Sequence, residues 1–232
     1  MDDFYQPLIA QSPKLDGDEF KHCIRVLRKK TGDLIGVFDG KGSYFTTKID
    51  AVAKDHCTLE ILEKKVVQQK TFHTHLAIAP TKSMDRMEWM TEKLGELGID
   101  EITFIHTHHA ERPKIKTDRL EKKAISAMKQ SKSGFLLKVN PLTRFIDFIK
   151  TNSNLENKYL AAVKPDLPPL KQLASPGTTS LILIGPEGDF SADEITHASN
   201  NGFKLVSLGQ NTLRTETAGL IACHTLNLVN DY

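Results

Sequence analysis

The sequence has few cysteines and no long apolar run. Its 232 residues include only three cysteines, Cys23, Cys57 and Cys223, which lie far apart and form no C-x-x-C pair. This spacing indicates neither a disulfide framework nor a zinc ribbon, so we expect reduced, mostly buried thiols. No segment approaches the roughly 18 apolar residues of a membrane span, and the first residues lack the basic start and apolar core of a secretory signal. We therefore expect a cytoplasmic protein without a membrane partner.

Charge of one sign is not in excess either. The chain carries 31 lysine and arginine residues against 29 aspartate and glutamate residues, a formal net charge of +2. Net charge therefore does not by itself indicate a nucleic-acid partner. No H-E-x-x-H motif or Cys/His ligand spacing accompanies the histidines, so we expect no metal site. A hydrophobic content of 39% is typical of a folded globular protein and excludes a disordered or fibrous chain.

One short segment does concentrate positive charge. In "KHCIRVLRKK", residues 21–30, the spacing predicts a helix with Lys21, Arg25, Arg28 and Lys29 within reach of one face. Such a face can bind phosphates. A solvated basic surface explains the segment equally well, because basic surface helices are common.

The segments after this predicted helix are short and rich in β-branched and aromatic residues. "DLIGVFDG", "SYFTTKIDAV" and "CTLEILEK" predict strands, and Asp39-Gly40 between the first two is a strong hairpin signal. We therefore expect residues 1–68 to form a small β-rich domain that ends in the polar stretch "EKKVVQQKT".

Residues 69–232 show a different pattern, in which strands alternate with helices. This alternation predicts βαβ units and a mostly parallel sheet, so the expected fold class is α/β. Strands are predicted near residues 74–79, 101–106, 136–139, 158–163, 180–184 and 204–208. Helices are predicted to begin near Ser83, Thr117, Thr143, Ser191 and Thr215.

The loops after the last two predicted strands are rich in glycine. Ligands in open α/β sheets bind beyond the carboxyl ends of the strands, where these loops lie. The first, in "LILIGPEGDFSADEI", contains Gly185 and Gly188, which allow a close approach of the backbone to a ligand, and a capping box begins at Ser191. In the second, "LVSLGQNTLRTET", Gly209 ends the strand and Thr215 is expected to cap the last helix.

Neither loop matches a nucleotide fingerprint. The G-x-G-x-x-G motif needs a third glycine, and the P-loop motif needs a lysine and a hydroxyl residue after its second glycine. A single loop of this kind is most simply a tight strand-to-helix connection. Two in succession at the same sheet edge favour a binding site.

Several motifs resemble, in the same order, segments of one family. "GPEGDFS" and "LGQNTLRTETA" resemble the last motifs of the SPOUT methyltransferases, specifically the RsmE-type family that methylates N3 of a uracil in 16S ribosomal RNA. "HCIRVLRKKTGD", "APTKSMDRMEWMTEKLGELGIDEI", "HAERPKIKTDRLEKKAISAMKQS" and "LRTETAGLIA" are also similar to that family's segments. One departure is Asp189, where many members have glycine. Aspartate tolerates left-handed backbone, so we expect the turn to survive.

The resemblance implies a PUA-like β-barrel over residues 1–68, which binds RNA, and a SPOUT α/β domain over residues 69–232 with a C-terminal trefoil knot. The second domain would bind S-adenosylmethionine, carry out catalysis and form a homodimer. The implied substrate is one uridine of 16S ribosomal RNA in the small ribosomal subunit. By similarity, the cofactor contacts Ile184, Gly185, Glu187, Gly188, Leu208, Gly209, Leu213, Arg214 and Thr215.

Arg214 and Glu216, at the start of the last predicted helix, are the expected catalytic residues. A guanidinium stays protonated, so Arg214 is a poor base but can stabilise the negative charge that grows on uracil as N3 loses its proton. A carboxylate in the first turn of a helix is stabilised as the anion, so Glu216 is a weak base and a good acceptor for orienting Arg214 or the substrate. The simpler alternative is a capped, salt-bridged helix start.

Basic residues supply the candidates for RNA contacts. A base whose N3 edge must meet a methyl donor cannot stay paired, so we expect a single-stranded or splayed target nucleotide. The candidates are Arg25 and Arg28 in the first domain and Lys82, Arg86 and Arg112 after strand ends of the second. Each is also interpretable as ordinary surface charge. Three rival functions stay open: another SPOUT-type RNA methyltransferase, an enzyme that uses a different nucleotide, and a non-catalytic RNA-binding or ribosome-assembly module.

Overall fold

The computed structural model of the chain describes residues 1–110, 112 and 114–232. These residues form two compact units. The first comprises Met1–Gln69 and Ile125–Leu136, and the second comprises Lys70–Ala124 and Leu137–Tyr232. Among the helices described, none is both long enough and apolar enough to cross a membrane.

The first unit is built on a five-stranded sheet curled into a half-barrel. Its strands are β1 (Asp3–Tyr5), β2 (Lys14–Asp16), β3 (Leu34–Phe38), β4 (Ser43–Val52) and β5 (His56–Val66). Their order in the sheet is β1-β3-β4-β5-β2, with β1 parallel to β3 and the other neighbours antiparallel. Register shifts in the β4–β5 pair, at Thr46/Thr47 and Ile49/Ala51, are the kind of irregularity that bends a strand and increases its twist.

The predicted hairpin at Asp39-Gly40 is confirmed. Strands β3 and β4 pair up to Phe38 and Tyr44, and the Asp39 carboxylate accepts hydrogen bonds from the backbone N–H groups of Lys41 and Ser43 at 2.7 and 2.9 Å. Gly40 has φ of +72°, a conformation that glycine adopts without strain. The turn is therefore fixed by one aspartate and one glycine.

The predicted single basic helix over residues 21–30 is wrong. A short helix α1 (Gly17–Phe20) continues into a π-helix that ends at Val26. Arg28 lies beyond it with φ of +56°, and Lys29 pairs with Asp2 at 2.7 Å. The chain leaves the helix because it enters a turn in which Lys30 N–H donates to the Asp33 carboxylate at 2.8 Å.

A segment distant in sequence completes the first unit. Lys129 pairs with Glu19 at 2.7 Å, and the Gly42 N–H donates to the Gly134 carbonyl at 2.9 Å. The core of this unit is apolar and includes the two buried thiols of Cys23 and Cys57. Burial of all three cysteines as free thiols is confirmed.

The second unit contains a six-stranded sheet in which every pairing is parallel. Its strands are β6 (His73–Ile78), β7 (Glu101–His106), β8 (Lys138–Arg144), β9 (Asn157–Ala161), β10 (Thr179–Ile184) and β11 (Lys204–Val206). The order is β11-β9-β10-β6-β7-β8. The predicted parallel α/β arrangement is confirmed, and five of the six strands lie within one or two residues of their predicted ends.

The helices of this unit follow the strands. They are α2 (Met84–Glu96), α3 (Thr117–Ser131), α4 (Phe145–Thr151), α5 (Leu170–Leu173), α6 (Ala192–Asn200) and α7 (Thr215–Val229). Helix α3 belongs to this unit only up to Ala124, and its remaining residues belong to the first unit. The predicted starts of α2, α3 and α6 are confirmed, and Ser191 forms the predicted capping box with Glu194. The predicted end of β8 near residue 139 and the helix start near Thr143 are wrong, because pairing with β7 continues to Arg144.

Buried polar groups join the strands β6, β7 and β8. The His75 Nε2 atom lies 2.8 Å from Thr103 Oγ1. The Asn140 amide donates to the same Thr103 oxygen at 2.9 Å and to Glu101 Oε1 at 2.6 Å. Burial lowers the pKa of His75 to about 4, because the charged imidazolium would lose its hydration. The histidine is therefore neutral in the folded sheet near pH 7.

The sheet order decides which loops are neighbours. Since all six strands are parallel, the loops that follow them emerge at one edge, the carboxyl edge. Loops after β9, β10 and β11 lie on one side of this edge, and loops after β6 and β7 lie on the other. Helix α7 packs against β6 and β10. Its Gly219 makes this packing close, since an added Cβ would lie 3.1 Å from Ile78 Cδ1.

Candidate functional site

A cavity of about 380 Å³ opens on the β9–β10–β11 side of the carboxyl edge. Its size lies within the range of about 300–1,000 Å³ that is usual for small-molecule sites. Three loops and the start of α7 form its walls. The lining residues are 161–165 after β9, 184–187 and Asp189 after β10, 207–213 after β11, and Thr215 and Ala218 of α7.

The loop after β10 is held in shape by Asp189. This residue has φ of +60°, so the expectation that aspartate preserves the left-handed turn is confirmed. Its N–H donates to the Pro186 carbonyl at 2.9 Å, and its carboxylate accepts from the Val163 N–H at 3.0 Å. Asp189 therefore ties the loop after β10 to the loop after β9, which forms the opposite wall of the cavity.

The two glycines of this loop serve different contacts. An added Cβ on Gly185 would lie 3.1 Å from the Phe190 ring and 3.2 Å from the Phe190 nitrogen. An added Cβ on Gly188 would lie 3.3 Å from His109 Cβ, and His109 Nδ1 lies 3.0 Å from the Asp189 carbonyl oxygen. Gly185 faces the cavity, whereas Gly188 faces the loop after β7.

A second contact fixes the loop after β7 at the same edge. Backbone N–H of His108 donates to Glu194 Oε1 at 2.8 Å, while the other carboxylate oxygen of Glu194 closes the capping box of α6. Thus the turn that contains His108 and His109 rests on the loop and the helix that follow β10. Both histidines are exposed, and only the ring of His109 contacts the loop after β10.

Most of the predicted cofactor residues are brought together by the fold. Seven of them line the cavity: Ile184, Gly185, Glu187, Leu208, Gly209, Leu213 and Thr215. Gly188 and Arg214 do not line it. Gly188 packs against His109, and Arg214 is exposed at the N-cap position of α7.

The expectation that Thr215 caps the last helix is wrong. Arg214 occupies the N-cap position with extended backbone, and no side chain caps the helix. Thr215 is buried as the first helical residue and faces the cavity. The guanidinium of Arg214 makes no hydrogen bond or ion pair with residues that the structure describes, and the chain neighbours of this residue, Leu213 and Thr215, line the cavity.

Glu216 is paired with a different arginine from the one expected. Its Oε1 lies 3.6 Å from Arg86 Nε on α2, and its Oε2 is buried without a hydrogen-bond partner among the described residues. The residue is only 5% exposed. A buried carboxylate oxygen is costly to leave without a hydrogen-bond donor.

Arg112 joins the loops on the β6–β7 side. Its Nε donates to the Thr81 carbonyl at 3.0 Å, and its Nη2 donates to the Lys82 carbonyl. The loop after β7 is therefore fastened to the turn that leads into α2, the helix that carries Arg86. The remaining two candidates for RNA contacts, Arg25 and Arg28, are exposed residues of the first unit.

Two parts of the site were not predicted. Residues 161–165 form a wall of the cavity because β9 lies between β10 and β11 in the sheet. That order depends on strand pairing and has no local signal in the sequence. The Arg86–Glu216 pair likewise joins residues far apart in the chain. Within the described part of the chain, no group of three or more potential ligands could hold a metal ion.

Two family profiles match the sequence. Residues 68–227 match a family described as an RNA methyltransferase domain, and residues 15–62 match one described as an RNA methyltransferase PUA domain. A ribosomal RNA small subunit methyltransferase E of Buchnera aphidicola is 30% identical over 217 residues, which cover 90% of this chain and 85% of that protein.

Solved structures of similar proteins share the fold over nearly the whole chain. A probable rRNA-methyltransferase from Porphyromonas gingivalis has a TM-score of 0.89 at 40% identity, covering 100% of this chain and 99% of that one. A ribosomal RNA small subunit methyltransferase E from Neisseria gonorrhoeae, bound to S-adenosyl methionine, has a TM-score of 0.87 at 26% identity and covers 99% of this chain and 98% of that one.

Proposed function

Since the chain belongs to the ribosomal RNA small subunit methyltransferase E family, we propose that it methylates N3 of one specific uridine in 16S ribosomal RNA, with S-adenosylmethionine as the methyl donor. The observation that carries this function is the cavity at the carboxyl edge, beside the exposed Arg214 and the Arg86–Glu216 pair. A substrate in the small ribosomal subunit also implies a cytoplasmic location.

The lining of the cavity fits the chemistry of this cofactor. Leu208 and Leu213 offer apolar surface to an adenine ring, and the carboxylates of Glu187 and Asp189 complement its positive ammonium and sulfonium groups. Lys164, on the wall after β9, can pair with its carboxylate. When bound there, S-adenosylmethionine supplies a methyl group already activated for displacement.

Arg214 is the electrostatic catalyst in this proposal. Uracil N3 must lose its proton as it accepts the methyl group, and negative charge then grows on the ring oxygens. The guanidinium of Arg214, whose chain neighbours Leu213 and Thr215 line the cavity, stabilises this charge. Positioning of the uracil by the surrounding loops supplies the rest of the rate enhancement.

Glu216 and Arg86 act together at the start of α7. The ion pair joins the buried Glu216 of α7 to Arg86 of α2. The Arg86 side chain is 42% exposed, so its remaining N–H groups are open to an RNA phosphate or base. In this role the pair orients the nucleotide that Arg214 activates.

The first unit supplies additional RNA contacts in this proposal. Residues 1–68 form a PUA-like barrel domain that binds RNA, and residues 69–232 form the SPOUT domain with its C-terminal trefoil knot. The match of residues 15–62 to a PUA profile supports the first assignment. Exposed Arg25 and Arg28 contact phosphates. For the knot, support comes from the sheet order and from the packing of α7 on β6 and β10.

A second copy of the chain is the proposed partner of α7. Ile221 and Leu228 are two helical turns apart and therefore share a face of this helix. They are 41% and 60% exposed, so they offer an apolar surface that a second copy can cover. Leu228→Glu is expected to convert a dimer to a monomer in sedimentation velocity experiments, and an unchanged sedimentation coefficient would remove this face from the interface.

The test of the proposed function is a methyl-transfer assay. The protein is incubated with labelled S-adenosylmethionine and small ribosomal subunits that lack uracil-N3 methylation, and the label is located by mass spectrometry of RNA fragments. We expect one labelled uridine, at N3. Label at another atom, or no label despite cofactor binding, would contradict the proposal and point to another methylated atom or another RNA. No label and no cofactor binding would return the binding-module alternative.

Arg214→Ala sharpens the same assay. Its single-turnover rate is expected to fall about 100-fold or more, as for the loss of other charge-stabilising donors. Its affinity for the cofactor is expected to stay within about threefold, since this side chain does not line the cavity. Lys204→Ala, which removes an exposed cation from the opposite edge of the sheet, is the control and keeps the full rate. A lowered cofactor affinity with an unchanged transfer rate would assign Arg214 to binding.

A further inference from the structure

A second cavity, of about 320 Å³, opens where α2 and α3 begin. Five of the residues that the structure describes line it: Met84, Arg112, Lys114, Lys116 and Arg119. Four of these five carry a positive charge, although the whole chain has a net charge of only +2. We call this site the basic cavity. Such a concentration of one sign in a concave site raises the local concentration of anions.

Arg112 gives the basic cavity a fixed wall. Its guanidinium is held by the carbonyls of Thr81 and Lys82, so this residue is tied to the turn that leads into α2. Lys114 and Lys116 are exposed and have no ion-pair partner among the residues described. Their charges are therefore available to a ligand, whereas the charge of Arg112 mainly positions the loop.

The backbone around the basic cavity also favours anions. Met84 is the first residue of α2, and Lys116 immediately precedes the first residue of α3. Both helices have more than ten residues, and their N-termini carry partial positive charge. Three acidic groups oppose this charge: Glu88 pairs with Arg119 at 3.5 Å, and Asp85 and Asp118 lie in the first turns of the two helices.

The basic cavity lies on the same edge as the cofactor cavity. Its residues follow β6 and β7, and the cofactor cavity is formed by loops after β9, β10 and β11. Between the two lies α2, which begins at the basic cavity with Met84 and carries Arg86 in its first turn, paired with Glu216 of α7. An anionic chain can thus run from the basic cavity to the start of α7.

We propose that the basic cavity binds backbone phosphates of the RNA strand that carries the target uridine, with Lys114, Lys116 and Arg119 as the contacting residues. This inference rests on the proposed function for its ligand, RNA, and adds a phosphate site to it. Arg112 is a positioning residue in this arrangement. Phosphate contacts fix the register of the strand, so they determine which nucleotide reaches the cofactor.

The test compares two variants with the same loss of charge. Lys114→Gln/Lys116→Gln removes two charges from the basic cavity. Lys150→Gln/Lys204→Gln removes two exposed charges beside the amino ends of β9 and β11. Binding of an unmodified 16S ribosomal RNA fragment is measured from 50 to 300 mM KCl for both variants and the unchanged protein. Titration with S-adenosylmethionine and a melting curve check that the cofactor cavity and the fold are intact.

The first variant is expected to bind RNA about tenfold more weakly at the lower salt concentrations. The slope of log K against log salt is expected to be shallower by about 1.4, because each phosphate contact to a single strand contributes about 0.7. The control variant keeps the slope of the unchanged protein. Equal slopes for the two variants would overturn the proposal.

Two further measurements separate this inference from the proposed function. Inorganic phosphate, titrated into the protein alone at matched ionic strength, is expected to give no saturable binding, and stoichiometric binding that Lys114→Gln/Lys116→Gln abolishes would assign the cavity to a free anion instead. If the protein transfers no methyl group to N3 but still binds RNA with the predicted difference in slope, the proposed function fails and the phosphate site stands.

Discussion

The two sides of the carboxyl edge make binding surfaces from different parts of the chain. On the β9–β10–β11 side, short loops with glycine and an aspartate in left-handed conformation form a cavity whose shape depends on the backbone. On the β6–β7 side, long cationic side chains surround an open basic cavity. The first arrangement suits a small ligand of fixed shape, and the second suits a flexible polyanion. One parallel sheet thus carries, side by side, a cavity shaped by its backbone and a cavity lined by cationic side chains.

Gly185→Ala is expected to give the largest difference between the two sides. Its Cβ would lie 3.1–3.2 Å from Phe190, so either the loop or the ring must move. Overpacking of this kind costs about 1–3 kcal/mol, and we expect cofactor affinity to fall about 30-fold. RNA binding without cofactor is expected to stay unchanged. Isothermal titration with each ligand measures both, and a parallel loss of RNA binding would show that the two sides are not separate.

Acid is expected to affect both sides together, because they share one sheet. The pKa of His75 is lowered to about 4 by burial, whereas an unfolded histidine has a pKa of about 6.5. The unfolded chain therefore takes up the proton first, and stability that is complete above pH 6.5 is lost progressively as the pH falls toward 4. Between pH 7.5 and pH 5, protonation of this single group lowers the free energy of unfolding by about 2 kcal/mol.

The measurement is urea unfolding at the two pH values, with His75→Gln as the comparison. Over this pH range, the free energy of unfolding of the variant is expected to fall by about 2 kcal/mol less than that of the unchanged protein. The variant has no imidazole to protonate. Identical losses would show that His75 does not control the acid sensitivity of the sheet.

The Arg86–Glu216 pair lies where the two sides meet, and a double-mutant cycle tests it. Arg86→Gln and Glu216→Gln are each expected to lower the methyl-transfer rate about tenfold, and the double variant is expected to be little worse than either one. The coupling energy between the two residues would then be about 1 kcal/mol. A larger value is not expected, because Arg86 is partly exposed and solvent screens the ion pair. Strictly additive losses would mean that the two residues act independently.

His109→Ala is expected to give the smallest effect. It removes the ring whose Nδ1 lies 3.0 Å from the Asp189 carbonyl oxygen. This contact joins the loop after β7 to the loop after β10. Loss of one such hydrogen bond costs about 0.5–1.5 kcal/mol. A twofold to tenfold weaker cofactor affinity, measured by titration, is therefore expected. An affinity equal to that of the unchanged protein would show that the cofactor loop keeps its shape without the histidine.

Local features of the sequence predicted much of this architecture. Alternation of strands and helices, the turn at Asp39-Gly40 and the capping box at Ser191 each depend on neighbouring residues, and the structure contains all three. Short strands were missed: β1 and β2 have three residues each and are formed by pairing with distant strands. The helix predicted through Lys30 ends early because a turn at Asp33 competes with it.

The site was predictable where motif and cavity coincide. Gly185, Leu208 and Gly209 belong to recognisable loops and line the cavity. Contacts that depend on sheet order were not predictable. These contacts include the cavity wall formed by the loop after β9 and the pairing of Glu216 with Arg86. The contact of Gly188 was not predictable for the same reason, because it packs against His109, which lies on a loop distant in sequence.

Photocrosslinking tests the central claim most directly. A 16S ribosomal RNA fragment with 4-thiouridine at the methylated position is bound to the protein in the presence of cofactor. The complex is irradiated, and the crosslinked peptides are mapped. We predict crosslinks to the starts of α2 and α7, around Arg86 and Arg214, where the two sides meet. Crosslinks confined to the first unit, or to surfaces away from the carboxyl edge, would contradict the account.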